Sequence, residues 1–460
     1  MSGALFDRYD RVHLVGIGGV GMEGLARFLA QMGCRVSGSD RSSSRALEGL
    51  QRDGFAVSVG HRAEQAQGSE LVVYSVAVPA QNEELTEARR LGLPLVRRAE
   101  LLGELSRTRF TVAVAGSHGK TTTSSMVAGI LRRAGLDPSV LVGGCRDGRA
   151  EGVLGRGPHF VVEADEYDRS FLRLFPTVAV VTSVDAEHLD CYGSLAGVEE
   201  AFNQFLARLP FYGPCLLAGD GRIGEAVGRE PGRPVRRWGL GPHNDYRAVA
   251  VELGDWGSRC VVERDGASLG GLELSVPGEH NLRNALAATA AADALGIDFG
   301  FISAGLAEYK GVARRFERRG EVHGVLVIDD YAHHPAELAA ALATARATGR
   351  RVVAAFQPHL YSRTRDLGDD FARELAAADV VYLVPVYASR EEPIPGVGSD
   401  AIAASMRRQS GTPAHCLAER GELLDRLARE ARPGDLVLTL GAGDLDEVAG
   451  ALVERLQATG

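Results

Sequence analysis

Three times along the chain, a short run of β-branched and apolar residues stops at a tight turn and passes into an amphipathic helix. Val12-His13-Leu14-Val15 leads into a glycine turn, after which Leu25, Phe28, Leu29 and Met32 recur at i, i+3, i+4 and i+7. Phe110-Thr111-Val112-Ala113-Val114-Ala115 repeats the pattern, with Val127, Ile130, Leu131 and Ala134 as the stripe. Val325-Leu326-Val327-Ile328 repeats it again, before a helix opened by Pro335 and striped by Leu338, Ala341, Leu342 and Ala345. Units of this kind build parallel sheets covered by helices, so the fold class is α/β. A length of 460 residues suggests about three domains, and the restarts place them at 1–106, 107–312 and 313–460. Arg35–Gly38, Leu71–Tyr74 and Val178–Val181 read as further strands. From Pro231 to Pro277 short runs alternate, as in Arg247–Glu252, and predict an antiparallel β insertion at the end of the middle domain.

Composition narrows the function. Lys plus Arg number 51 and Asp plus Glu 60, a net charge of −9, which argues against a general nucleic-acid binder. No apolar run reaches the roughly 18–20 residues of a membrane span, and the first residues lack the basic-then-apolar pattern of a secretory signal. Six cysteines without C-x-x-C spacing fit the reduced thiols of a cytoplasmic protein. Neither nucleic acid nor membrane is expected as a partner. The 57 glycines exceed the usual ~7%, so the backbone turns tightly or approaches something closely.

Two glycine turns say what it approaches. Gly16-Ile17-Gly18-Gly19-Val20-Gly21 is G-x-G-x-x-G between strand and helix, the Rossmann-like arrangement for a pyrophosphate. Asp40 lies 40 − 21 = 19 residues further on, at a strand end where a carboxylate can accept ribose hydroxyls. A diphosphate-linked nucleotide is the expected ligand, and dinucleotide and nucleotide sugar both stay open. Gly116-Ser117-His118-Gly119-Lys120-Thr121-Thr122-Thr123 is a second turn, shorter than the full nucleotide-triphosphate pattern. Its amides and helix N-terminus suit phosphate, Lys120 adds a point charge, and Thr121 offers a hydroxyl to Mg²⁺.

The two turns together resemble the Mur ligase family of peptidoglycan precursor synthesis. The resemblance implies three domains: a Rossmann-like one for a UDP-sugar, a central P-loop domain for ATP, and a C-terminal Rossmann-like domain for an amino acid. It implies an ATP- and Mg²⁺-dependent ligase that joins the carboxylate of UDP-N-acetylmuramate to L-alanine through an acyl phosphate. Monomer and homodimer are both compatible with it.

Val162-Glu163-Ala164-Asp165-Glu166-Tyr167-Asp168 puts carboxylates at a strand end beside the phosphate loop, a common Mg²⁺ position. By resemblance Glu163 is the metal ligand and Asp165 and Glu166 are weaker choices. The family places a second metal-binding histidine at His188, in Asp185-Ala186-Glu187-His188, where many relatives carry Asn for Ser183 and Asp for Glu187. Asn281 reads as a helix N-cap; by resemblance His280, Asn281 and Asn284 hold adenine, and Arg315, preferred to Arg314, reaches the ATP phosphates. Asp329-Asp330-Tyr331-Ala332-His333-His334 and Gln357-Pro358-His359-Leu360-Tyr361-Ser362-Arg363 end strands where α/β sheets bind ligands. The resemblance sets Asp330, Tyr331, His333 and Arg363 around the amino acid and the acyl phosphate, with Arg363 suited to a carboxylate. Many alanine-adding relatives have a second Arg where this chain has Leu360. Catalysis would then rest on Lys120, His188, Arg315, His333 and Arg363.

Rival readings remain at this point. A murein tripeptide ligase of cell-wall recycling shares both turns and E-A-D-E-Y-D. A nicotinamide-dependent oxidoreductase would use the first turn and Asp40 but leave Lys120, Glu163 and His188 without work. A silent paralogue would have lost Lys120 or Glu163, and both are present.

Overall fold

A computed structural model describes residues 8–458 apart from 147–148, 222, 224–226, 229–231 and 390. The three strand restarts fall in three sheets. The first holds β1 (Arg11–Val15), β2 (Arg35–Asp40), β3 (Ala56–Val59), β4 (Leu71–Tyr74) and β5 (Leu95–Arg97), all parallel in the order β3-β2-β1-β4-β5. Strand order reverses between β1 and β4, so a crevice opens at the carboxyl end of β1, where the first glycine turn begins. Helices α1 (Val20–Gln31), α2 (Arg45–Arg52), α3 (Glu83–Arg90) and α4 (Arg98–Arg107) accompany it. The stripe read from the sequence packs inward: Leu25, Phe28 and Leu29 have no exposed surface.

The second sheet comprises β6 (Phe110–Ala115), β7 (Ser139–Arg146), β8 (Arg149–Val153), β9 (His159–Glu163), β10 (Val178–Val181), β11 (Cys215–Ala218), β12 (Val235–Gly239), β13 (Tyr246–Gly254), β14 (Gly257–Arg264) and β15 (Ala267–Leu274). Their order is β15-β14-β13-β12-β11-β10-β6-β9-β7-β8. Its helices are α5 (Lys120–Arg133), α6 (Leu189–Tyr192), α7 (Leu195–Leu206), α8 (Glu279–Ala294) and α9 (Phe299–Ala307). The expected antiparallel insertion starts later than the sequence suggested. β12 pairs parallel with β11 and β13 parallel with β12, so both extend the main sheet. Within the expected insertion, β13, β14 and β15 are joined by two-residue turns, a connection open to antiparallel neighbours alone.

The third sheet holds β16 (Glu317–Val322), β17 (Val325–Asp330), β18 (Arg351–Phe356), β19 (Val380–Leu383), β20 (Ala414–Cys416) and β21 (Asp435–Leu440), ordered β16-β17-β21-β18-β19-β20. β16 is antiparallel to β17 and the rest are parallel. Helices α10 (Pro335–Ala347), α11 (Tyr361–Leu375), α12 (Ser399–Gln409), α13 (Arg420–Glu430) and α14 (Leu445–Ala458) cover both faces. One face buries Leu326, Ile328, Leu338, Phe356 and Phe371, the other Val327, Tyr382, Leu427 and Leu452.

The chain packs as two compact bodies: one runs to Val251 and adds Arg259–Leu274 and Leu282–Tyr309; the other comprises Glu252–Ser258, Ser275–Asn281 and the chain from Lys310. Within the first body α1 docks directly on β8. A Cβ on Gly152 would lie 1.8 Å from the Gly24 carbonyl oxygen, so two bare backbones meet there. Gln31 fastens the contact, donating to the Gly152 carbonyl at 2.8 Å and accepting from the Leu154 amide at 3.0 Å. The first sheet and most of the second therefore belong to this one compact body. Among the described residues no helix is long and apolar enough to cross a membrane.

Candidate active site

The first glycine turn is held from beneath. The amides of Gly16 and Ile17 both donate to the Ser39 carbonyl, at 2.8 and 3.0 Å. The Gly18 amide donates to Asp40 Oδ2 at 2.9 Å. One Asp40 oxygen thus braces the turn itself, a use the spacing argument did not foresee. Gly21 makes room for a guanidinium: a Cβ there would lie 2.2 Å from Arg98 Nη1.

Gly19, Val20 and Gly21 line a cavity of about 650 Å³ whose walls include Arg97, Arg98, Arg169, Arg173 and Arg208. A smaller cavity of about 120 Å³, bounded by Gly21, Arg98, Gly143, Glu163 and Asp165, adjoins it. The first turn therefore continues through Arg98 towards the carboxylates at the end of β9. Sequence reasoning passed over these arginines, yet Arg97 and Arg98 carried a signal. They open α4, and cations at a helix N-terminus oppose its dipole unless an anion joins them.

At the second turn Gly119 is left-handed (φ 80°) and caps α5. Lys120 Nζ donates to the Gly116 carbonyl at 2.6 Å and to Glu166 Oε2 at 2.8 Å. Burial would lower the Lys120 pKa, but Glu166, Asp165 and Glu163 outweigh it and hold the ammonium above its ordinary value. Burial likewise opposes the Glu166 charge, and Lys120 and His188 overcome it, leaving the carboxyl below its usual range. Glu166, a weaker choice in the sequence, is thus the lysine's partner.

Glu163 Oε2 accepts from the Thr121 hydroxyl at 3.0 Å and the Gly143 amide at 2.9 Å. A hydroxyl and a carboxylate side by side form the hard oxygen set that Mg²⁺ takes. Thr122 is buried in the first turn of α5. His188 caps α6 in a left-handed conformation (φ 54°), and its Nε2 lies 3.5 Å from Glu166 Oε1. Burial would lower its pKa, but Glu166, Glu187 and Asp165 raise it. Ligand atoms of Glu166, Glu187 and His188 lie within 4.8 Å of one another, a second set able to hold a cation. Ser183, where many relatives carry Asn, accepts from the His118 amide at 2.7 Å through Oγ and from the Ser117 amide at 3.0 Å through its carbonyl. The departure keeps the loop's support.

α8 begins at Glu279, so Asn281 lies inside the first turn rather than at the N-cap, and its amide donates to the Pro277 carbonyl at 2.7 Å. Asn284 braces the phosphate loop: its Oδ1 accepts from the Thr123 hydroxyl at 3.3 Å and would lie 2.5 Å from a Cβ on Gly119. Burial, then the nearby Arg315 charge, push His280 down to about 4, so its ring is neutral.

In the second body Arg314 is a structural cation. It donates to Asp329 Oδ2 at 3.1 Å and to the Gly443 and Gly441 carbonyls at 2.9 and 2.6 Å. Both guanidiniums lie over the Tyr331 ring, Arg314 at 5.0 Å and Arg315 at 5.3 Å, and Arg315 is 3.7 Å from Glu337. Asp330 accepts from the Phe316 and Ala332 amides, both at 2.7 Å. Burial drives its pKa up to about 7 against the pull of Arg315 and those amides. His333 Nδ1 lies 2.9 Å from the Tyr331 carbonyl and is therefore the protonated nitrogen. Burial pushes its pKa down to about 3, making it a neutral acceptor and a weak base. Arg363 opens α11 beside His359 (3.4 Å), again a cation at a helix start. Leu360, just before it, is left-handed (φ 69°), the strain common where a loop shapes a ligand site.

Family models cover most of the chain: the Mur ligase family catalytic domain matches residues 11–110, the Mur ligase middle domain 114–292, and the Mur ligase glutamate ligase domain 314–443. The UDP-N-acetylmuramate–L-alanine ligase of Sorangium cellulosum is 46% identical, over 98% of this chain and 97% of that one. Among solved structures, the UDP-N-acetylmuramate–alanine ligase of Thermotoga maritima superimposes with a TM-score of 0.85 at 29% identity, covering 98% of this chain and 100% of that one. A murein peptide ligase of Psychrobacter arcticus gives 0.72 at 25%, over 97% and 98%. With both phosphate turns, the strand-end carboxylates and all three domains in place, the chain belongs to the Mur ligase family.

Proposed function

We propose that the chain joins L-alanine to the carboxylate of UDP-N-acetylmuramate at the expense of ATP, in the cytoplasmic synthesis of peptidoglycan precursors. The observation that carries this reading is the continuity of the two cavities. A nucleotide sugar with its diphosphate on the first turn and Arg98 would run past Gly21 towards Glu163 and Asp165. That brings a substrate carboxylate beside the loop that holds Lys120. The division at 1–106, 107–312 and 313–460 gives each substrate one domain, and the limits of the three family models support it.

The carboxylate oxygen attacks the γ-phosphorus, ADP leaves, and an acyl phosphate forms; the amine then attacks the carbonyl carbon and phosphate leaves. Lys120 and Arg315 would offset the charge of the transferring phosphoryl group, a mainly electrostatic contribution. Thr121 with Glu163, and His188 with Glu166 and Glu187, would hold Mg²⁺, which when bound adds to that neutralisation. Arg363 would grip the amino acid carboxylate, and His333 Nε2 would accept a hydrogen bond from its amino group, which attacks as the amine after losing its ammonium proton to solvent.

The test is phosphate release from ATP with UDP-N-acetylmuramate and a panel of L-alanine, L-serine, glycine and the murein tripeptide. L-Alanine should give the highest kcat/KM. Preference for the tripeptide would move the chain to the recycling ligases, and no release with any acceptor would overturn the ligase reading.

A further inference from the structure

Behind the first glycine turn lies a buried carboxylate that none of the chemistry above uses. Glu84 sits at the start of α3, where Asn82 Oδ1 accepts from its amide at 2.9 Å, and the residue has no exposed surface. Three side chains converge on it, two from strands of the first sheet and one from a loop. His13 Nε2, from β1, lies 2.5 Å from Glu84 Oε2. The Ser39 hydroxyl, from β2, donates at 2.7 Å to Oε1. His61 Nδ1, from the loop after β3, lies 2.8 Å from Oε1. His13 Nδ1 in turn pairs with the Ser37 hydroxyl at 2.9 Å.

Burying a carboxylate among polar groups is costly, and apolar residues of similar volume would serve a purely packing role at least as well. The position of the network indicates what is gained. Ser39 is the residue whose carbonyl takes the Gly16 and Ile17 amides. The next residue, Asp40, holds the Gly18 amide and accepts through its carbonyl from Gly60, directly before His61, at 2.7 Å. His61 is the member that reaches the surface, with 19% of its side chain exposed. Its Nδ1 faces Glu84 and Ser39, so that nitrogen carries the proton, and the opposite Nε2 edge is an acceptor at the carboxyl end of the sheet.

We propose that Glu84 is a positioning residue for the nucleotide: through Ser39 it fixes the first glycine turn, and through His61 it presents a ring acceptor to the hydroxyl or N–H donors of the nucleoside. The inference rests on the reading that this turn binds a uridine diphosphate. His13 closes the network on the core side by holding Oε2, which leaves Oε1 to His61, while the Ser39 hydroxyl lies within reach of both oxygens.

Glu84→Gln tests it. The glutamine keeps the shape, but its single oxygen cannot accept from both His13 and His61, so one of the two rings should move its proton to the other nitrogen. Imidazole ¹⁵N shifts should report that tautomer change. UDP alone, titrated calorimetrically, should bind about tenfold more weakly, equivalent to roughly 1.4 kcal/mol or one hydrogen bond. The KM for UDP-N-acetylmuramate should rise with it, while kcat and the KM for ATP stay within twofold. A lower melting temperature with UDP affinity and both ring tautomers unchanged would leave Glu84 a packing residue and overturn the proposal. Should that variant fail to fold, His61→Ala gives the same reading: unchanged UDP affinity overturns the proposal, and a tenfold loss at constant melting temperature supports it. The unaltered protein is titrated first. Failure to bind UDP there refutes the nucleotide reading of the turn, whereas equal binding by the unaltered protein and Glu84→Gln refutes the role of Glu84 alone.

Discussion

The two glycine turns of the first body share a geometry and differ in where their charge comes from. Each follows a buried strand and opens a helix. The first contains no cation; Arg97 and Arg98 of the neighbouring helix supply positive charge to a cavity of about 650 Å³. The second carries Lys120 in the loop, already engaged by Glu166 at 2.8 Å and by the Gly116 carbonyl at 2.6 Å. The first is an open electropositive cradle, suited to a diphosphate that stays intact through the reaction. The second is a closed ion pair that a phosphate must enter by taking over the lysine. Glycines mark where backbone can meet phosphate, and the surrounding charges determine what becomes of it.

The sharpest break between the turns is Lys120→Met. Removing the cation at the transferring phosphate should lower kcat by about 10³-fold, while UDP binding stays within twofold. A parallel fall in UDP affinity would show that the turns are coupled rather than separate. The variant also leaves Glu166 buried without its cation, which should cost about 3–5 kcal/mol of stability. Lys120→Met/Glu166→Gln should recover most of the melting temperature and none of the activity.

A second contrast uses the glycines themselves. Gly119→Ala meets both a left-handed backbone and the side-chain oxygen Oδ1 of Asn284 at 2.5 Å, so turning Asn284 aside would still leave the backbone strained. It should raise the KM for ATP and destabilise the protein by about 1–3 kcal/mol. Gly21→Ala meets only the far end of a flexible arginine, 2.2 Å from Arg98 Nη1. Its cost should appear as a roughly tenfold rise in KM for UDP-N-acetylmuramate, one displaced charge-assisted contact, with the KM for ATP unchanged. Equal effects on both substrates from either variant would erase the distinction.

Periodicity and glycine spacing carried the fold a long way. All three strand–turn–helix restarts exist, because a continuous apolar run such as Val12–Val15 and a helical stripe such as Leu338–Ala345 must both be buried. The antiparallel insertion starts at β13 and not at β12, because alternation marks one solvated face and does not report the direction of the neighbouring strand. At the site, local motifs were legible and their partners were not. Lys120 was evident, but its link to Glu166 depends on strands forty-six residues apart folding together. The resemblance implies an adenine role for Asn284, and its contact with Gly119 and Thr123 across the phosphate loop is a further one that no local motif signals. Arg98 was hidden because its use depends on a glycine in another helix.

The second turn should also be the acid-sensitive one. The Glu166 pKa is held below its ordinary 4.5, with burial opposing and Lys120 and His188 prevailing. A depressed carboxyl contributes stability that is fully present above the unfolded value and is lost as pH falls through the folded one. Below about pH 4.5 the unaltered protein should therefore lose stability faster than Lys120→Met/Glu166→Gln, followed by denaturant midpoints between pH 6 and 3. Parallel curves would mean that the pair does not govern the acid limb.

The smallest expected effect is at Asp40. Asp40→Asn retains an oxygen that can accept from the Gly18 amide, now 2.9 Å from Oδ2, so the turn should keep its shape. What changes is a charge at the rim and the hydrogen-bonding capacity of the second oxygen. If bracing the turn is the main work of Asp40, UDP affinity should fall only about two- to threefold, the range of a neutral replacement in one hydrogen bond. A loss beyond tenfold would mean that the second oxygen meets the ribose hydroxyls, as the spacing from Gly21 suggested. The first turn would then resemble the second more than its arginines indicate, with a carboxylate that both holds the loop and touches the ligand.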